Sequence, residues 1–242
     1  MALKRSNLKL DSPVNNFATS NPLASSQYDF SNGNLQISRS GSTQSYALSS
    51  MSVNSGKWYW EVCSQVLSSN YPRIGIHCTS LGSNEPTTNY PSGNADGSTR
   101  CWASTTTGNL SGESSGAGYF NGSNSFTSRG DTRRYSTGSV LQFFLDLDNN
   151  SIYFGLNGDL ELAYSDLQEG YWTAAIFSNQ NADQWIANFG QNPDFSGTKT
   201  GGGRHSDANG RGQFYYKPPW GALALCSANI TAPEKVKYKV SS

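Results

Sequence analysis

At 242 residues, with 17 Lys plus Arg balancing 17 Asp plus Glu, the chain is long enough for one well-buried domain. It also lacks the positive field that binding to a phosphate backbone requires. Aromatics at 12% exclude wholesale disorder, and no run of about eighteen apolar residues is present to span a membrane as a helix. The basic start Met1–Leu10 is not followed by the apolar stretch of a signal peptide, so synthesis and folding in a cytoplasm are expected. Cys63, Cys78, Cys101 and Cys226 form no CxxC pair and are expected to be buried, reduced thiols.

Along the chain the pattern is strand and turn, without a sustained helical period. In Trp58–Cys63 the alternation sets Trp58, Trp60 and Val62 on one face and Tyr59, Glu61 and Cys63 on the other. Ile74, Ile76 and Cys78 repeat it after Pro72. Leu141, Phe143, Leu145 and Leu147 mark another strand, and Ile152, Phe154 and Leu156 its neighbour. Asp148–Asn149–Asn150–Ser151 between them supplies turn residues that tolerate left-handed backbone, so the pair reads as a hairpin. Asn157–Gly158 predicts a second tight turn, and Tyr171–Phe177 and Trp185–Phe189 predict further short strands. Closely spaced strands with turn signals favour an all-β antiparallel sandwich over βαβ layers. Three polar stretches, 82–100, 104–134 and 194–213, read as long loops, the kind of segment that carries recognition. Residues 1–10 and 232–242 read as arms flanking one domain over 11–231; the second arm is a candidate edge strand with an alternating Lys face.

Candidate chemistry is sparse. Asp146, Asp148, Asn149 and Asn150 could offer oxygens to Ca²⁺, but the spacing and closing Glu of an EF-hand are missing and a turn accounts for them. A glycine-rich turn likewise accounts for Asp207 and Asn209. His77 and His205, the two histidines, have no Cys or His at ligand spacing. Glu61 and Asp146 would have to face one cleft to act as a glycosidase pair. No metal, cofactor or catalysis is expected. Trp58, Trp60, Trp172, Trp185 and Phe189 read as core. Tyr71, Arg73, Tyr90, Trp102, Tyr119, Phe120 and Tyr135 adjoin or lie in polar loops and are the candidate partner contacts, because aromatics and Arg concentrate binding energy.

Several ordered motifs carry a family resemblance: Asp11–Phe17 with Asn21–Pro–Leu23, Ser31–Asn–Gly–Asn–Leu35, Gly56–Lys–Trp–Tyr–Trp–Glu–Val62, Leu145–Asp–Leu–Asp148 through Asn157–Gly158, Asn188–Phe–Gly–Gln191, and Gly210–Ile230. Over roughly residues 11–231 the chain resembles the SPRY (B30.2-like) domain in the form found in structural proteins of tailed bacteriophages, with Ser31–Leu35 similar to the first strand. That resemblance implies a concanavalin/SPRY-like jelly-roll sandwich and a non-enzymatic virion component, whether decoration, fibre or tail. The implied partners are other virion proteins, in an oligomeric setting, and a host surface protein or glycan. A lectin-like module for carbohydrate or receptor and an intracellular peptide-binding SPRY adaptor stand as alternatives.

Overall fold

The computed structural model describes residues 15–24, 27–41, 45–67, 73–79, 99–104, 117–120, 126–130, 134–178 and 182–230. They form two sheets. The first runs in the order β1 (Tyr28–Ser31), β2 (Gln36–Arg39), β13 (Gln184–Asn188), β4 (Lys57–Val66), β9 (Val140–Asp146), β10 (Ser151–Leu156) and β11 (Asp159–Tyr164), with β14 (Leu223–Ala224) beside β4. The second runs β3 (Ser45–Val53), β12 (Trp172–Ser178), β5 (Arg73–Cys78), β6 (Thr99–Ser104), β7 (Ala117–Phe120) and β8 (Phe126–Gly130). Every pairing is antiparallel except that of β14 with β4. The only helix among the described residues is a 3-10 turn, Pro22–Ala24, so the architecture is the antiparallel β-sandwich that the alternation implies.

The core lies between the sheets. From β4, Trp58, Trp60 and Val62 meet Ala47, Ile74, Ala174 and Ile176 of the second sheet. An aromatic ladder crosses four neighbouring strands. Trp60 stacks on its register partner Phe143 at 5.4 Å, Phe143 meets Phe154 edge-on at 5.5 Å, and Phe154 meets Tyr164 at 6.0 Å. Such pairs add about 0.5–1.5 kcal/mol each beyond their buried area.

The other face of β4 is buried too, beneath an irregular third layer made by residues 189–226. Where β13 leaves β4 at Asn188 opposite Glu61, β14 takes up the same edge at Trp58 and Tyr59. Tyr59 meets Phe214 edge-on at 5.0 Å, and Cys63, Val140, Ile186 and Phe195 form a small apolar cluster with Tyr215 and Tyr216 against it. The stretch 194–213, expected as a long loop, contains no strand and is mostly exposed; Phe195 and Asp207 are its buried residues, and the packed part of the cover lies mainly on either side of it.

Three expectations change. The stretch 104–134 contains β7 and β8 and is a hairpin as much as a loop. Thr99 and Arg100, placed at the end of the 82–100 loop, belong to β6. The segment Ser31–Leu35, likened to a first strand, is mostly the turn joining β1 to β2: Asn32, Gly33 and Asn34 all have left-handed backbone, at φ 51°, 67° and 63°. The two predicted hairpin turns stand, with Asn150 at φ 51° and Asn157–Gly158 at 51° and 103°. The latter pair has the twist that a two-residue hairpin loop requires. All four cysteines are buried with no disulfide between them.

Candidate functional site

Three connections meet at one end of the sandwich: the β3–β4 turn at Asn54–Gly56, the β9–β10 turn at Leu147–Asn150, and the segment Gln168–Tyr171 leading into β12. They line an open groove of about 600 Å³ through Asn54, Leu147, Asn150, Gln168, Glu169 and Tyr171. Backbone hydrogen bonds brace the loops against one another. The Leu147 amide donates to the Gly56 carbonyl at 3.0 Å, the Gly56 amide to Asp148 Oδ1 at 3.0 Å, and the Leu167 amide to the Asn150 carbonyl at 3.0 Å. The indoles of Trp58 and Trp172 anchor the same loops from the core, donating to the carbonyls of Ser55 at 2.7 Å and Gln168 at 3.1 Å. A groove held this way is preformed, so little ordering cost falls on binding.

The groove's polar lining offers amides from Asn54, Asn150 and Gln168 and a carboxylate from Glu169, beside the half-exposed ring of Tyr171. On the outer side of the same end the turn Pro218–Pro219–Trp220–Gly221 projects the Trp220 indole, 96% exposed, with Gly221 against Lys57. Two prolines and the Ala222 amide, which donates to the Pro219 carbonyl at 3.1 Å, fix that turn.

Of the oxygens weighed for Ca²⁺, both of Asp146 and Oδ1 of Asp148 are engaged by protein donors. Asp146 Oδ2 accepts from Lys57 Nζ at 2.8 Å and Asn149 Nδ2 at 2.9 Å, and Asp148 Oδ1 holds the Gly56 amide. Burial works to raise the Asp146 carboxyl, but the bonds from Lys57 and Asn149 outweigh it and hold the group below its ordinary value. At the other glycine-rich turn Asp207 accepts the Asn209 and Arg211 amides on Oδ1 and the Ala224 amide and Asn229 Nδ2 on Oδ2. No group of three His, Cys, Asp or Glu among the described residues is placed to hold a metal.

Glu61 and Asp146 face the same side of the first sheet, since Asp146 pairs with Lys57 four residues before Glu61. Their backbones are therefore about 13 Å apart along β4, beyond the separation that glycoside hydrolysis uses. Glu61 is also fully buried. Its carboxylate accepts from Tyr59 Oη at 3.0 Å, Asn188 Nδ2 at 2.9 Å and the amides of Tyr215 and Tyr216 at 2.9 and 2.7 Å. The polarity of this network is set by backbone groups. The Gly158 amide donates to Gln142 Oε1, which turns Gln142 Nε2 toward Tyr59 Oη and Tyr59 toward Glu61. Burial pushes the Glu61 carboxyl up to about 7 against the pull of these donors. Glu61 is the post on which the third layer is hung.

The candidate contact residues fall in different places. Tyr71 and Tyr90 lie outside the described residues. Arg73, Trp102, Tyr119 and Phe120 come together on three adjacent strands, with Arg73 opposite Ala103, Trp102 opposite Tyr119 and Cys101 opposite Phe120. Arg73 is 4% exposed and Tyr135 fully buried within the core cluster. Tyr135 packs inside despite adjoining a polar stretch, because it directly precedes the turn into β9. The groove residues and Trp220 were missed; Pro218–Pro219 beside a Trp was the signal that could have found the latter.

No family model matches the chain, and no curated protein matches it either. Among solved structures, the SPRY domain of human HERC1 is similar, with a TM-score of 0.53 at 15% identity over 69% of this chain and 96% of that one. The TRIM65 PSpry domain aligns with a TM-score of 0.49 at 17% identity, over 71% of this chain and 89% of that one. With the two antiparallel sheets, the HERC1 likeness shows that the chain has a SPRY-like β-sandwich fold.

Proposed function

We propose that this chain is a non-enzymatic protein-binding module that serves as a structural component of a tailed-bacteriophage particle. The observation that carries the binding reading is the groove of about 600 Å³ between cross-braced loops, with Tyr171 half-exposed in it and Trp220 projecting at the same end. A polar groove flanked by two exposed aromatics suits a protein surface, because Tyr and Trp bury large areas at low entropy cost. The neighbouring SPRY domains supply the fold, and the phage setting rests on the sequence motifs from Asp11 to Ile230. The particle is the proposed location, with synthesis in the host cytoplasm.

Mass spectrometry of purified particles tests the setting: the chain should be a stoichiometric component, and its absence would overturn the virion reading. Photo-crosslinking from position 171 or 220 in assembled particles tests the site. It should capture one protein neighbour, and Glu169→Lys or Trp220→Ala should abolish the capture without lowering the melting temperature. Failure to crosslink from either position, or capture unaffected by both substitutions, would overturn the assignment of the site. Glycan-array binding lost in the same variants would replace it with the lectin alternative.

A further inference from the structure

We propose that Asn32–Gly33, in the turn between β1 and β2, is a self-modification site: Asn32 deamidates through a cyclic imide, and the carboxylate so formed reverses a chain of hydrogen bonds that ends at the cover. In an Asn–Gly pair the glycine amide nitrogen can attack the preceding side-chain carbonyl carbon, because no Cβ on the glycine blocks the approach. The new C–N bond closes the imide ring, and the Asn side-chain nitrogen leaves as ammonia, taking the proton from the glycine amide. Water then adds to either ring carbonyl and opens the ring to aspartate or isoaspartate. No oxidant, reductant or second protein enters the balance.

The sequence holds four such pairs, beginning at Asn32, Asn121, Asn157 and Asn209; Asn121 lies outside the described residues. At two of the other three the attacking amide is already committed. The Gly158 amide donates to Gln142 Oε1 at 2.7 Å, and Asn157 Oδ1 is held by the Val140 amide at 3.0 Å. The Gly210 amide donates to the Asp207 carbonyl at 3.0 Å, and Asn209 Nδ2 to Asn229 Oδ1 at 2.9 Å. Gly33 differs. Its amide makes no hydrogen bond among the described residues, nothing lies within 4 Å of where a Cβ would sit, and both Asn32 and Gly33 are exposed. Of the three nucleophiles only this one is free, and solvent reaches the ring that it would form.

What Asn32 touches decides the consequence. Its Nδ2 donates to Gln36 Oε1 at 2.7 Å, Gln36 Nε2 to Gln65 Oε1 at 3.3 Å, and Gln65 Nε2 to Thr198 Oγ1 at 2.9 Å. The carboxamides thus form a chain that reaches over β13, from β2 to β4, and on to the cover. A carboxylate at position 32 has no proton to give. Gln36 must then turn its amide to donate to it, Gln65 must turn to donate to Gln36, and the Thr198 hydroxyl becomes the donor at the far end. The Ser31 hydroxyl, which also donates to Gln36 Oε1 at 3.3 Å, accepts instead. Every contact survives with its direction reversed, and Asp tolerates the left-handed backbone that position 32 has at φ 51°. The aspartyl product therefore keeps the fold while carrying the change to Thr198.

The test is incubation of the folded, full wild-type chain at mildly alkaline pH, with its peptides followed by mass spectrometry. The peptide of Asn32 should convert first, into a mixture of aspartyl and isoaspartyl forms, with Asn157 and Asn209 about tenfold or more slower because each must first give up a hydrogen bond. In urea the three rates should converge. No conversion at Asn32, or conversion at Asn157 or Asn209 as fast as at Asn32 in the folded chain, would overturn the site. For the reversal, Asn32→Asp should melt as wild type does and should shift the side-chain amide resonances of Gln65, a shift that a Gln36→Ala background removes. Gln65 resonances unmoved by Asn32→Asp, or moved as much without Gln36 as with it, would overturn the reversal.

Discussion

Raising the pH from about 4.5 to about 7 should weaken this fold, and replacing Glu61 by Gln should remove most of that dependence. The Glu61 carboxyl has an ordinary value of 4.5 and is pushed up to about 7, first by burial, with the Tyr216, Tyr215, Asn188 and Tyr59 bonds opposing. Between those two values the folded chain keeps a proton that the unfolded chain has released, so stability falls as pH rises and levels off above about 7. At about 1.4 kcal/mol per pH unit the full change is about 3 kcal/mol, a large share of the 5–15 kcal/mol that typical domains possess. Asp146, held below its ordinary value of 3.8, contributes in the opposite sense, but only below this window. Urea unfolding of wild type and Glu61→Gln at closely spaced pH values measures the difference in slope. Parallel curves for the two proteins, or wild-type stability that rises across the window, would refute the reasoning.

Phe143→Ala removes a fully buried ring that contacts both Trp60 and Phe154 and should cost about 3–5 kcal/mol; an unchanged melting curve in a soluble variant would count against the aromatic ladder. Gly75→Ala should prevent folding of the second sheet, because a Cβ there would collide with the Arg100 carbonyl on β6, and circular dichroism of a well-folded variant would contradict the β5–β6 register. The thiols of Cys63 and Cys101 are pushed by burial to about 11 and about 12. A thiol reagent should therefore label the native chain negligibly near neutral pH and label all four cysteines after denaturation without reductant. A recovered cystine peptide would reject that.

The sandwich was legible where side chains alternate within one segment. Trp58, Trp60 and Val62 point inward as their spacing implies, and Asn150 and Asn157–Gly158 adopt the left-handed backbone that their turns need. The cover was not legible, since what orders it is remote: Glu61 captures amides 154 and 155 residues away. Nothing local to Tyr215 or Tyr216 announces that partner. The β7–β8 hairpin escaped for a related reason, because the Gly and Ser around Ala117–Phe120 and Phe126–Gly130 signal turns more loudly than such short strands signal pairing. The groove is assembled from three turns that only the sheet order brings together, so a reading based on aromatics and Arg beside polar loops points instead to residues such as Arg73 and Tyr135, both buried.

Residues 16–18 are zipped to residues 225–227. The Ala18 amide donates to the Leu225 carbonyl at 2.8 Å, the Ser227 amide to the Asn16 carbonyl at 2.9 Å, and the Asn16 amide to Ser227 Oγ at 2.9 Å across 211 residues. This seam is a timing constraint on biosynthesis. At 5–20 residues per second, Asn16 waits about 10–40 s after its own synthesis before its partner has been made. The aromatic ladder of β4, β9 and β10 can form meanwhile from contacts much closer in sequence, but the seam and the cover it completes must come last. The Ala228 amide donates to Asn15 Oδ1 at 3.3 Å, so a variant in which residues 1–14 and 231–242 are replaced by a covalent link across the seam, with the chain opened instead at the exposed Asn157–Gly158 turn, would reverse that order of completion while preserving the interactions of the seam.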